Sequence, residues 1–309
     1  MAILSFGKKS APAPVTSGPE ISDFLKGFSI EVMPRTAAKV DDFRAILPRG
    51  TRVYIAHIEG TPIKDMVATA RRINTQGFDV MPHFPARIIK DKATLVDWIN
   101  RYQGEANVNQ ALLLAGGVAH PQGDYDSSMQ LLETGAFDAA GFERLHVAGH
   151  PEGNKDIDPD GSRLNVDAAL HWKQAFFNRT DAKMALATQF AFDPGPIITW
   201  ANEIKAAGID LPVHIGIAGP AKLQTLIKFA IACGVGPSLK VLQKRAMDVT
   251  KLLLPYEPVE VLNALAEHKA QNPDFNIDQV HFFPLGGIKT NATWVTDHGG
   301  RAGVPASQS

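Results

Sequence analysis

Phe28-Ser29-Ile30-Glu31-Val32-Met33-Pro34-Arg35 is the stretch on which the reading of the fold turns. From Phe28 to Val32 apolar residues run almost unbroken for about the length of one strand, so the segment reads as a short buried β-strand. Glu31 interrupts that run. A carboxylate in such a strand must be hydrogen-bonded, paired, or at work in a cleft. Pro34 stops the strand, and Arg35 is close enough in sequence to meet that carboxylate or a substrate anion. The stretch alone admits two readings: a buried Glu31–Arg35 ion pair and a catalytic acid.

Working outward, similar runs recur at Arg52–Ala56, Asp79–Pro82, Ala111–Leu114, Arg144–Val147, Met184–Thr188, Val213–Ile217 and Gln279–Phe283. With Ser29–Val32 they make eight. Between them lie helical patterns at Lys64–Asn74, Lys92–Tyr102, Ser127–Leu132, Leu164–Phe177, Ile197–Ala207 and Ala221–Ala232. Thr61-Pro62, Asp193-Pro194 and Gly219-Pro220 supply helix-start signals. Strands alternating with helices of this length argue for parallel strands joined by right-handed crossovers. Eight such units within 309 residues predict an α/β fold, a single closed (β/α)8 TIM barrel. The alternative is an open doubly wound sheet with a smaller second domain, but no G-x-G-x-x-G follows the first strand.

The Pro/Ser/Ala tract from Ser10 to Pro19 predicts a disordered leader over residues 1–20, the barrel over 21–298 and a flexible tail over 299–309. Val235 to Pro255 is less regular, and an extra helix, Leu239–Leu253, is expected near the seventh and eighth loops. Hydrophobic residues at 45% and charged residues at 20% suit a soluble chain able to bury a full core. A net charge of −1 without a basic run gives no nucleic-acid footprint. No apolar stretch approaches the roughly 18–20 residues that span a bilayer, so no membrane partner is expected. The leader lacks the apolar core of a signal peptide. The single cysteine, Cys233, excludes an internal disulfide and suits a reducing cytoplasm; in an apolar helical run it reads as a small core residue rather than a nucleophile.

In a barrel, the C-terminal ends of the strands carry the chemistry. Those positions hold Glu31 and Arg35, His57 and Glu59, His83 and Arg87, Gly116-Gly117, His150-Pro151-Glu152-Gly153, Gln189, His214, and Gly286-Gly287-Ile288-Lys289-Thr290. Each also has a plainer reading. Gly116-Gly117 makes a tight turn with positive φ or lets backbone approach a ligand. His83, between prolines, caps a strand end, and His214 within a strand is a satisfied core histidine. The glycines after strands seven and eight, with Lys289, also fit a phosphate cup. No H-x-H, H-x-x-E-H or cysteine cluster is present, so no metal is expected and a metal-dependent hydrolase is an outside reading. Neither G-x-S-x-G nor a placed cysteine supports a nucleophilic triad.

These stretches resemble the methylenetetrahydrofolate reductase family. Ser29-Ile30-Glu31-Val32-Met33-Pro34-Arg35 resembles its S-F-E-F-F-P-P-R, and Met81-Pro82-His83-Phe84 its A-P-H-L. His150-Pro151-Glu152 matches its H-P-E, and Ala187-Thr188-Gln189-Phe190-Ala191-Phe192-Asp193 resembles its I-T-Q-F-F-F-D. Val213–Ile217 and Val280–Leu285 fall where the family has its last two strands, so the likeness runs in order over about residues 28 to 290. The resemblance implies a barrel that binds a reduced folate. It also implies hydride transfer from a nicotinamide, NAD(P)H, through FAD to 5,10-methylenetetrahydrofolate, giving 5-methyltetrahydrofolate. Glu31 would be the acid that opens the methylene bridge, which calls for a carboxyl held protonated by a partly apolar site. Gln189 would hydrogen-bond the pterin, with Arg35 and Lys289 as further substrate contacts. His57, His83, Gly117, His150 and Lys173 fall to the cofactor side.

The departures concentrate on that side. The family's R-G-D after strand four is Gly116-Gly117-Val118 here, and its V-T-Y-G is Ile55-Ala56-His57-Ile58. The tyrosine that precedes its H-P-E falls on His146. Its D-x-x-N-x-x-R-K helix becomes Val166, Ala169, Trp172 and Lys173. Its arginine after strand eight is a glycine, with Lys289 two residues on. The expectation is therefore a divergent reductase-type barrel, cytoplasmic and capable of forming a homo-oligomer, that binds FAD weakly or not at all. It acts in one-carbon metabolism, in the reducing direction or oxidatively after a demethylation. The rival is a barrel that binds folate or another pterin without redox chemistry.

Overall fold

The computed structural model describes residues 19–247 and 254–303. Eight strands follow the chain: β1 (Ser29–Val32), β2 (Arg52–Ile55), β3 (Asp79–Pro85), β4 (Gln110–Leu114), β5 (Arg144–Gly149), β6 (Lys183–Ala191), β7 (Val213–Ala218) and β8 (Ile277–Phe283). They close into a barrel in sequence order with every pair parallel. The seam is β1 against β8, with Ser29 opposite His281 and Ile30 opposite Phe282. This is the (β/α)8 TIM barrel that the alternation predicts.

The helices are α1 (Pro19–Phe24), α2 (Pro34–Ala37), α3 (Ile63–Thr75), α4 (Lys92–Ala106), α5 (Ser128–Glu133), α6 (Ala136–Ala139), α7 (Leu164–Phe177), α8 (Pro194–Ala206), α9 (Leu223–Ala232), α10 (Gly236–Met247), α11 (Val259–Gln271) and α12 (Ile288–Asp297). Among the described residues no helix is long and apolar enough to cross a membrane.

Alternation along each strand assigns the two faces. One set, with Ile30, Val32, Val53, Ile55, Leu113, Leu145, Val147, Ile215 and Phe282, joins the apolar core shared with the helices. The opposite set faces the barrel axis, where Tyr54, Met81, Leu112 and Ala187 form a cluster of their own. Branched aliphatic side chains usually fill a barrel interior. Here Ser29, Tyr54, His146, His214 and His281, all buried, take much of that space.

Several bounds differ from the sequence reading. β3 continues through Pro82 to Pro85, because a proline removes one donor without ending an extended backbone. The extra helix runs Gly236–Met247, and the remainder of the expected Leu239–Leu253 lies outside the described residues after Met247. Part of the expected tail, 299–303, makes contacts with the barrel. There Arg301 pairs with Asp23 at 2.9 Å, its carbonyl accepts from Gly27 N at 2.8 Å, and Gly300 is buried. The rest of the expected tail, 304–309, and residues 1–18 of the expected leader lie outside the described residues.

One insertion shapes the functional end. α11 packs against α1 and α8 and so takes the ring position after β7. α9 and α10 are therefore additional, a helical hairpin packed on the C-terminal ends of β6 to β8. Phe190, Phe192, Ala218, Leu223, Leu226, Val235, Leu242 and Tyr256 form its apolar seat. Glu152, from the loop after β5, accepts hydrogen bonds from the Ser238 hydroxyl and backbone N–H in the first turn of α10. The H-P-E glutamate is thus a helix cap.

Candidate active site

Glu31 sits at the mouth of the barrel, at 18% side-chain exposure, with two imidazoles converging on one of its oxygens. His83 Nε2, from β3, lies 3.2 Å from Oε2, and His281 Nε2, from β8, lies 3.6 Å from the same atom. Neither contact has hydrogen-bond geometry; both are close imidazole–carboxylate approaches that become ion pairs only when the ring carries a proton. Burial pushes the Glu31 carboxyl upward, but the two histidines outweigh it and lower its pKa to about 2. This corrects two expectations. Arg35 is exposed on α2 while Glu31 pairs with histidines, so there is no buried Glu31–Arg35 pair. Nor is Glu31 held protonated by an apolar site, because strand alternation brings two bases to it that the linear sequence keeps far apart.

Beneath Glu31 the polar contacts continue inward. His281 Nδ1 meets Ser29 Oγ at 2.9 Å, and its ring lies 4.3 Å from that of Tyr54. Tyr54 Oη is 2.6 Å from His146 Nδ1 and 3.5 Å from His214 Nδ1. Burial drives the pKa of His146 and His214 well below the ordinary histidine value, so both rings are neutral. Burial also raises the Tyr54 phenol, leaving it a hydrogen-bond donor at any ordinary pH.

Gln189 lies on a bulge. The register of β6 against β7 shifts between Ala187 and Phe190, so Thr188 and Gln189 stand off the ladder with β7. Thr188 Oγ1 accepts from Gly216 N at 2.8 Å, and Gln189 Oε1 accepts from Phe190 N at 3.1 Å, leaving the Gln189 amide group exposed. Lys289 is exposed in the first turn of α12.

The residues expected on the cofactor side do not gather as a set. His57 stacks on Trp98 of α4, with ring centroids 4.9 Å apart, and its Nε2 lies 2.9 Å from the Thr61 carbonyl. Lys173, on α7, donates to the Ala148 carbonyl at 2.8 Å, and burial lowers its pKa to about 8. His150, also depressed by burial and by Lys173, to about 3, lies two residues beyond Ala148, just past the end of β5. Gly117 is exposed, and it is Gly116 that needs glycine, with φ +105° against Pro85. Arg87 is a residue that strand-end reading found without assigning. Buried at the end of β3, it binds Asp126 at 2.6 Å, Asp156 at 2.7 Å and the Val118 carbonyl at 3.0 Å. It ties together the loops after β3, β4 and β5. Among the described residues no group of three or more His, Cys, Asp or Glu is arranged to hold a metal ion.

No protein-family profile matches the sequence. Among solved structures, the chain is similar to an uncharacterized protein from Clostridium thermocellum that binds two copies of 5-methyl-5,6,7,8-tetrahydrofolic acid. The TM-score is 0.55 at 10% identity, over 90% of this chain and 97% of that one. A mandelate racemase/muconate lactonizing enzyme from Bordetella bronchiseptica gives a TM-score of 0.42 at 12% identity over 86% of this chain. The chain spans about half (55%) of that protein's length. At 10% identity the likeness to the Clostridium thermocellum protein is one of fold.

Proposed function

We propose that this barrel binds a reduced folate at its C-terminal mouth and interconverts 5,10-methylenetetrahydrofolate and 5-methyltetrahydrofolate. The observation that carries the reading is Glu31, bracketed by His83 and His281 on one oxygen, in a barrel similar to one that holds the methylated folate. In the reducing direction the bond from the bridging carbon to N10 opens, and N10 takes a proton. The N5 lone pair then forms an iminium, which accepts a hydride at carbon. A bound nicotinamide would supply that hydride.

The protein's part is an acid–base centre, a pterin contact and a covered site. Glu31 with its two imidazoles holds and moves the proton. The Gln189 amide, free at its NH2 end, offers two donors to a pterin edge. The α9–α10 hairpin covers the β6–β8 side and limits water, and Arg35 and Lys289 are exposed cations at the ends of β1 and β8 for a substrate carboxylate.

A flavin fits this arrangement poorly. Of the side chains aligned with flavin contacts, His57 is turned onto Trp98, Lys173 onto a backbone carbonyl and His83 onto Glu31. Each flavin polar group buried unpaired costs roughly 1–3 kcal/mol. We therefore propose weak FAD binding or none, with the hydride passing directly from nicotinamide to folate. The purified protein should be colourless and should oxidise NAD(P)H when given methylenetetrahydrofolate. A yellow protein keeping stoichiometric FAD through gel filtration would restore the flavin route. Folate binding without NAD(P)H consumption would leave a non-redox folate-binding barrel.

A further inference from the structure

We infer that His83 is the general acid of this site: Glu31 holds its Nε2, and the ring delivers a proton from Nδ1 to the substrate nitrogen that releases the one-carbon unit. The catalytic part of this inference rests on the folate reading; the ion pairing beneath it does not.

A largely buried carboxylate needs a cation, because an unpaired buried charge is strongly destabilising. Among the described residues two basic groups lie within 4 Å of Glu31 Oε2, His83 and His281. His281 is the poorer carrier. Its ring is wholly buried between Tyr54 and Phe283, its Nδ1 is occupied by Ser29, and the neutral His146 and His214 lie behind Tyr54. Arg52 and Arg144 act on these inner rings as cations and disfavour a second positive charge there. His83 stands at the outer end of the interior, on β3, with 11% of its side chain exposed. Its Nε2 is buried 3.2 Å from Glu31 Oε2, so the proton it can give away is the one on Nδ1. The pairing follows the logic of a carboxylate–imidazole dyad, in which the carboxylate orients the ring and stabilises its cation.

The groups facing this pair come from several elements. Glu31 is approached by His83 from β3 and His281 from β8, and its charge is felt by Tyr54 of β2 and by the exposed Cys233 thiol at the end of α9. His83 is in turn near His57, His281 and Glu31, and Glu31 is the acid in that group. The proton inventory closes. His83 loses one proton to N10, the C–N10 bonding pair stays on N10, and the nicotinamide hydride ends on the methyl carbon. Solvent then returns a proton to His83.

His83→Ala should lower turnover at neutral pH by at least about a hundredfold. 5-Methyltetrahydrofolate affinity, by calorimetry, should stay within about threefold, and added imidazole should restore part of the rate. A second readout needs no activity. In His83→Gln, the Glu31 carboxyl, followed by carbon-13 NMR, should titrate clearly higher than in the parent protein. Turnover within about threefold of the parent in His83→Ala, or a Glu31 titration unmoved in His83→Gln, overturns the inference. Failure of the parent protein to bind 5-methyltetrahydrofolate would sink the folate reading instead and leave the NMR result to judge the pairing alone.

Discussion

Glu31 is the residue whose environment the sequence described least well. Its isolation in an apolar strand marked it as functional, but a carboxylate's proton state depends on what crosses the barrel to meet it. His83 and His281 are 52 and 250 residues away in sequence, and only strand order and side-chain alternation bring both to Oε2. Parity held part of that signal: Ser29 and Glu31 share one face of β1, and Gln279, His281 and Phe283 share one face of β8. Glu31→Gln removes the charge that orients both imidazoles while keeping the shape. Turnover with methylenetetrahydrofolate should fall by at least about a hundredfold, while folate affinity changes little. Near-normal turnover in that variant would remove Glu31 from the chemistry. His57 illustrates the reverse failure. It stands at the right strand end, yet the backbone carries its ring onto Trp98, which no motif reveals.

The elements themselves were legible because each strand run and each helical period is local. Their ends were less so, since Pro82 and Gly149 look like breaks yet continue β3 and β5. The bulge in β6 was invisible, because it depends on a partner strand. Its cause lies partly in Gly216, where a Cβ would stand 2.5 Å from the carbonyl oxygens of both Thr188 and Gln189. Only glycine lets β7 approach that closely. Gly216→Ala should force β7 away from the bulge, costing about 1–3 kcal/mol as overpacking does and misplacing Gln189. Folate affinity should then drop by roughly tenfold, as in Gln189→Ala, where about one hydrogen bond is lost. The two changes should not add, because both remove the same contact. Additive losses in a calorimetric double-mutant cycle would place the pterin away from Gln189.

At the scale of the whole molecule, the barrel buries ionisable rings where aliphatic side chains would be more stable, and this fixes its response to acid. His146, His214, His150 and His281 all have pKa values depressed mainly by burial, His150 to about 3. In the unfolded chain each returns to the ordinary value near 6.5. A depressed folded pKa means that the unfolded state binds more protons below that value. The stabilisation is therefore complete above about pH 6.5 and is lost as pH falls toward the folded pKa values. Each ring that stays neutral contributes a slope approaching about 1.4 kcal/mol per pH unit. Glu31 adds a second loss at lower pH, between its ordinary 4.5 and about 2. Urea unfolding between about pH 7.5 and 5 should show stability falling steeply below pH 6.5. His146→Gln should make that fall shallower by close to one proton, even though the variant starts from a lower stability without its bond to Tyr54. A slope unchanged by this substitution would mean that His146 is protonated in the folded protein, and the neutral interior on which the Glu31 pairing depends would have to be abandoned.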